Sequence, residues 1–196
     1  GGASLGFSGE EKTNKGNGWT MNDGISFGAS AEMDNGWVVS TSMLIDSSDT
    51  VAAAGIDNRS LTIDMGDSGS LTFYGDGGST SLTLMDDTTP TAGEEAWDDV
   101  SGATAHQYGA TGYDTFSYTN SSLMDGVSIG IDYVPADGQT QIMSSTSATI
   151  KYTGIDGLTV GMGVGEDNGE GAADSKDVTA FNVTYAMDAV TVGFSS

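Results

Sequence analysis

Six carboxylates fall within fourteen residues of the run DDTTPTAGEEAWDD at 86–99: Asp86, Asp87, Glu94, Glu95, Asp98 and Asp99. No Lys or Arg lies between Ser60 and Ile150. Such a set could act as acid and base, hold a hard cation, or supply a fixed negative field. Acid–base work needs two carboxyls converging on one substrate. Glu94 and Glu95 are sequence neighbours, which in a strand point to opposite faces. His106 is the only histidine, and no Gly-x-Ser-x-Gly elbow accompanies it. No P-loop occurs either, so an enzyme is not expected.

Cation binding suits these residues better, because Asp and Glu oxygens in glycine-containing turns match calcium. Two sets qualify: Asp86, Asp87, Glu94 and Glu95, or Glu166, Asp167 and Glu170 in the run EDNGEG. Neither has the spacing of an EF-hand loop. Calcium is therefore a candidate ligand, and no other cofactor is expected.

The elements that must position the acidic run read as strands. Period-two alternation places Ile25, Phe27, Ala29, Ala31 and Met33 opposite Ser26, Gly28, Ser30 and Glu32. Val127, Ile129, Ile131 and Tyr133 lie opposite Ser128, Gly130 and Asp132. Leu158, Val160, Met162 and Val164 lie opposite Thr159, Gly161, Gly163 and Gly165. Eleven such strands can be read. Their connections alternate long and short: 10–23, then 34–36; 46–58, then 66–69; 76–111, then 121–125; 135–145, then 154–157; 166–177, then 188. The short piece 79–85, with Leu82 and Leu84, would break this alternation as a wall strand, so it is placed inside the connection 76–111. A connection that long within a compact domain is usually functional.

Up-and-down transmembrane barrels have short turns on one rim and long loops on the other. The second face of each strand is mostly Ser, Thr, Gly, Asn and Asp, which cannot fill a dry core. The apolar face is therefore expected to point outward to lipid, and the small polar face to line water. Trp37, Tyr133, Tyr152, Tyr185 and Phe194 fall at or near strand ends, where interfacial aromatic girdles sit. The fold class expected is an all-β, antiparallel up-and-down transmembrane β-barrel, a single domain over 1–196. The acidic segment is expected to fold into the lumen and narrow it.

Composition agrees. The formal charge is -23, from 28 acidic and 5 basic residues, which excludes phosphate-neutralising nucleic-acid binding. Cysteine is absent, so there is neither a disulfide framework nor a thiolate metal site. No run of eighteen apolar residues suggests a membrane helix, a test that a barrel of alternating strands does not meet.

The runs SLTIDMGDSGSLTFYGDGG at 60–78 and PTAGEEAWDD at 90–99 resemble Gram-negative general porins, particularly those of α-proteobacteria. GLTVGMGVGEDN at 157–168 and VTYAMDAVTVGFS at 183–195 resemble later hairpins of the same barrels. The resemblance implies an outer-membrane channel for passive diffusion of ions and small hydrophilic solutes, embedded in outer-membrane lipid as a homotrimer. It implies a third loop folded into the pore, with Asp86, Asp87, Glu94, Glu95, Asp98 and Asp99 on its acidic side. Family members face that loop with a basic cluster on the wall. Here Lys151 is the only basic residue whose parity clearly points inward, and Arg59 is expected at the rim. An eyelet with unmatched carboxylates implies a preference for cations. Family barrels have sixteen strands, so eleven implies that this chain is about two thirds of a porin.

Two alternatives compete. One is a secreted or cell-surface calcium-dependent structural β-protein, such as a surface-layer or adhesin domain. The other is a soluble ligand-carrying barrel, which would need an apolar interior.

Overall fold

The computed structural model describes residues 2–7, 19–46, 55–82, 85, 114–136, 144–167 and 176–195. They form eleven strands: β1 (Gly2–Phe7), β2 (Trp19–Glu32), β3 (Val38–Asp46), β4 (Gly55–Asp64), β5 (Ser70–Asp76), β6 (Thr115–Met124), β7 (Val127–Val134), β8 (Ser145–Ile155), β9 (Leu158–Asp167), β10 (Lys176–Met187) and β11 (Val190–Ser195). They make a single sheet in sequence order, every neighbouring pair antiparallel. β1 and β11 are its outer strands. β4, β8, β9 and β10 run for 10, 11, 10 and 12 residues, close to the roughly 9–11 that a tilted strand needs to span a bilayer.

The long–short alternation of connections holds, with shifted boundaries. Trp19–Asp23 belong to β2, where connection 10–23 was expected, because they continue the β1 pairing from Phe7↔Trp19 to Gly2↔Gly24. β4 likewise begins at Gly55, inside the expected loop 46–58. Glu166, Asp167, Lys176 and Asp177 extend the β9–β10 ladder into the expected loop 166–177. β6 reaches Met124 through an irregular register between Asn120 and Met124, where a turn at 121–125 was expected. Trp37 precedes β3 rather than opening it: its N–H is taken by Asn35 Oδ1 at 3.1 Å and its carbonyl accepts from Met33 N at 2.7 Å. The described residues of the piece 79–85 form no wall strand, as the alternation required.

Short turns are closed by residues that tolerate positive φ. Gly157 has φ 72°, and a Cβ there would meet Ala186 O at 2.5 Å. Gly66–Ser68 form one 3-10 turn, closed by Met65 N to Gly69 O at 2.9 Å. Asn120 Nδ2 reaches back to the carbonyl of Asp67 at 3.1 Å, tying β6 to that turn.

The two faces differ as the alternation requires. Ile131 is 52% exposed, Met162 52% and Val164 55%. Their opposite-face neighbours Asp132, Gly163 and Gly165 lie on the concave side. Phe73, Phe116 and Tyr133 align across β5, β6 and β7 near the long-connection rim, the two Phe rings 4.8 Å apart. Trp37, Tyr152 and Tyr185 lie near the short turns, so aromatic residues occur towards both rims of the apolar face.

Candidate functional site: the concave face

The concave face borders a cavity of about 710 Å³. Its lining is mostly the small polar set of the strands, including Ser70, Thr119, Ser128, Thr149, Thr159 and Thr184, with Met85, Ile129 and Ile150 among them. Hydroxyls and glycines leave backbone close to the space and keep it hydrated. Lys151 stands among them, exposed and inward as its parity required. In register it lies between Ser128 of β7 and Gly161 of β9. Arg59 lies at the Arg59/Ser60 register shift near the long-connection rim, and its Nη2 donates to Gly75 O at 3.2 Å.

The connection between β5 and β6 returns across this face. Ser81 lines the cavity and is bonded to Asp132, a residue 1% exposed on β7. Ser81 N–H donates to Asp132 Oδ2 at 2.9 Å, and Ser81 Oγ to the same oxygen at 2.5 Å. Ser147 Oγ of β8 donates to it as well, at 2.9 Å. Charge-assisted bonds of this kind are short and about twice as strong as neutral ones.

Beyond Ser81, Leu82 is fully buried and Met85 nearly so, and they cluster with Ala180, with Val178 packed alongside. The buried apolar cluster thus lies on the water-facing side of the wall, where the returning segment touches it. Met85 N–H closes a turn on Leu82 O at 3.1 Å.

Asp86, Asp87, Glu94, Glu95, Asp98, Asp99 and His106 lie outside the described residues. Of the second calcium set, Glu166 and Asp167 end β9, and Glu170 lies outside the described residues. Among the described residues no group of three or more His, Cys, Asp or Glu could hold a metal ion.

Asp132, Ser81, Ser147 and Leu82 were not singled out from sequence. Signals for them existed: a lone inward carboxylate in a Ser/Gly-faced strand, three inward glycines in a row on β9, and two leucines early in a largely polar connection.

No protein-family model matches the chain, and no curated protein matches it. Solved structures do. A multiply substituted variant of Rh. blastica porin is 15% identical, with a TM-score of 0.67, over 97% of this chain and 68% of that one. A triple variant of Rhodopseudomonas blastica porin is 16% identical, with a TM-score of 0.65 and the same coverage, 97% and 68%. At that identity the likeness is one of fold: this chain builds an antiparallel, up-and-down barrel wall of the porin type.

Proposed function

We propose that this chain forms the wall of an outer-membrane porin, a passive diffusion channel for ions and small hydrophilic solutes that prefers cations. One observation carries the reading. The sheet turns Ser, Thr, Gly and Asn toward a cavity of about 710 Å³ and leaves Ile131, Met162 and Val164 exposed on the other side. A soluble ligand-carrying barrel would do the reverse, packing its aliphatic residues inside. The exposed apolar face suits outer-membrane lipid, and the porin fold suits assembly as a homotrimer.

Cation preference follows from charge. The chain carries 28 acidic residues and 5 basic ones, and one basic residue, Lys151, lines the cavity. Asp86, Asp87, Glu94, Glu95, Asp98 and Asp99, which follow the docked residues Ser81, Leu82 and Met85 in the chain, would add negative field. Carboxylates in a narrow, partly desolvated pore act more strongly than in bulk water. Transport of this kind needs no turnover and no cofactor. Calcium held by the same carboxylates would reduce the preference rather than create it.

The test is reconstitution of the detergent-extracted protein into planar bilayers under a salt gradient. Stepwise conductance with a cation-selective reversal potential is expected. Absence of current from folded protein, or solubility without detergent, would reject the channel.

A further inference from the structure

On the channel reading just given, we infer that Asp132 and a trough of small residues crossing β7 to β10 are positioning residues that hold Ser81, Leu82 and Met85 as a fixed ledge and so set the free cross-section of the lumen.

The trough is a register feature. Gly130 pairs with Thr149, Thr149 with Gly163, and Gly163 with Ala180, so four inward positions on four adjacent strands form one row. The next row toward the long-connection rim is Asp132, Ser147, Gly165 and Val178. The returning segment lies on these two rows. A Cβ on Gly130 would overlap the Ser81 side chain, meeting Oγ at 2.5 Å. One on Gly163 would overlap Leu82 and meet Met85 Sδ at 2.8 Å, and one on Gly165 would meet Leu82 Cδ2 at 2.8 Å. Real Cβ contacts are not that short, so a side chain at any of these three positions would force Ser81, Leu82 or Met85 to shift from its place against the wall.

The two attachments are of different kinds and reinforce each other. Asp132 accepts from both the backbone and the hydroxyl of Ser81, which fixes the chain direction at the ledge's start. Leu82, fully buried, and Met85, nearly so, fill the trough, which excludes water beneath the ledge. The row on the other side, toward the short turns, is Ser128, Lys151, Gly161 and Asn182. Lys151, an inward cation that lines the cavity, is therefore in the row beside the ledge. Any shift of the ledge alters both the open area and the surroundings of Lys151.

The experiment records single-channel conductance and reversal potential for Gly163→Val, Leu82→Ala and Asp132→Ala, with Asp132→Asn and the outward-facing Val164→Ala as comparisons. Each variant is first checked for the folded, heat-modifiable band of the unaltered protein. Gly163→Val is expected to lift the ledge into the lumen and lower conductance. Leu82→Ala and Asp132→Ala are expected to loosen it, giving multiple conductance levels and a shifted reversal potential. Asp132→Asn should restore much of the steady level, and Val164→Ala should match the unaltered protein. Should Gly163→Val fail to fold, Leu82→Ala, which only removes atoms, carries the test. An unaltered protein that conducts, together with folded Leu82→Ala and Asp132→Ala variants of unchanged conductance and selectivity, overturns the ledge alone. An unaltered protein that passes no current overturns the channel reading beneath it.

Discussion

Ser81 gives both its backbone N–H and its hydroxyl to one oxygen of Asp132, fifty-one positions further along the chain, at 2.9 and 2.5 Å. This ties the start of the long β5–β6 connection to the inner wall near the long-connection end of β7. Ser147 supplies a third donor to the same oxygen, while Oδ1 makes no hydrogen bond among the described residues.

That asymmetry distinguishes two substitutions. Asp132→Ala strands three donors at a buried position, at a cost on the order of 1–3 kcal/mol for each group left unsatisfied. Asp132→Asn can keep an acceptor at the Oδ2 position and put its amide where Oδ1 has no partner, so it should cost less. The temperature at which the folded band converts to the unfolded form on a gel should fall clearly for Ala and slightly for Asn. Equal falls would mean that Ser81 and Ser147 do not depend on that oxygen.

Lys151 is expected to oppose cation preference. In a water-filled pore, a unit charge roughly 7 Å from a passing ion is worth about 0.6 kcal/mol, close to thermal energy. Lys151→Met should therefore favour cations and disfavour anions by about two- to threefold each, raising the cation-to-anion permeability ratio by roughly five- to tenfold, and raising the salt concentration should diminish the difference. Reversal potentials in a salt gradient measure this. A ratio that stays put would place Lys151 outside the ion path.

The two faces should answer oppositely to the same new charge. Met162 is 52% exposed on the apolar face, whereas Thr159 lines the cavity. Arg on a lipid-facing barrel position costs about 2–4 kcal/mol near the bilayer midplane. Met162→Arg should reduce folding yield into lipid vesicles. Thr159→Arg should fold normally and lower cation preference. If Thr159→Arg were the one that failed to insert, the assignment of faces would be reversed.

The short turns offer a graded test of backbone geometry. Gly36 has φ 82° with open space around a would-be Cβ. Gly157 has φ 72° and would bring its Cβ to 2.5 Å from Ala186 O. A side chain in the left-handed region costs roughly 1–2 kcal/mol by itself. Gly36→Ala should lose about that much and Gly157→Ala more, seen as a larger drop in the gel-shift temperature. Equal drops would mean that the turn at Gly157 relaxes freely around the added methyl.

Much of the fold was legible in the chain. Period-two alternation separates Ile131, Met162 and Val164 from Asp132, Gly163 and Gly165, because a strand has only two faces and a slip of one residue would exchange them. The alternation of long and short connections followed from turn residues at Asp34–Gly36, Gly154–Gly157 and Asp188. It also excluded 79–85 from the wall. Boundaries were less legible: Trp19–Asp23 and Gly55–Asn58 join strands because partners were there to pair with, and local composition does not register a partner. The anchoring of the long connection was decided only in three dimensions. Asp132, Ser147, Gly163 and Leu82 are far apart in sequence, and each alone reads as an ordinary inward polar residue, a small residue or a stray leucine. They become a seat once antiparallel register sets Gly130, Thr149, Gly163 and Ala180 side by side and leaves room for Leu82 against the wall. Alternation is a local property of one strand, whereas a trough crossing four strands exists only after hydrogen bonding has aligned them.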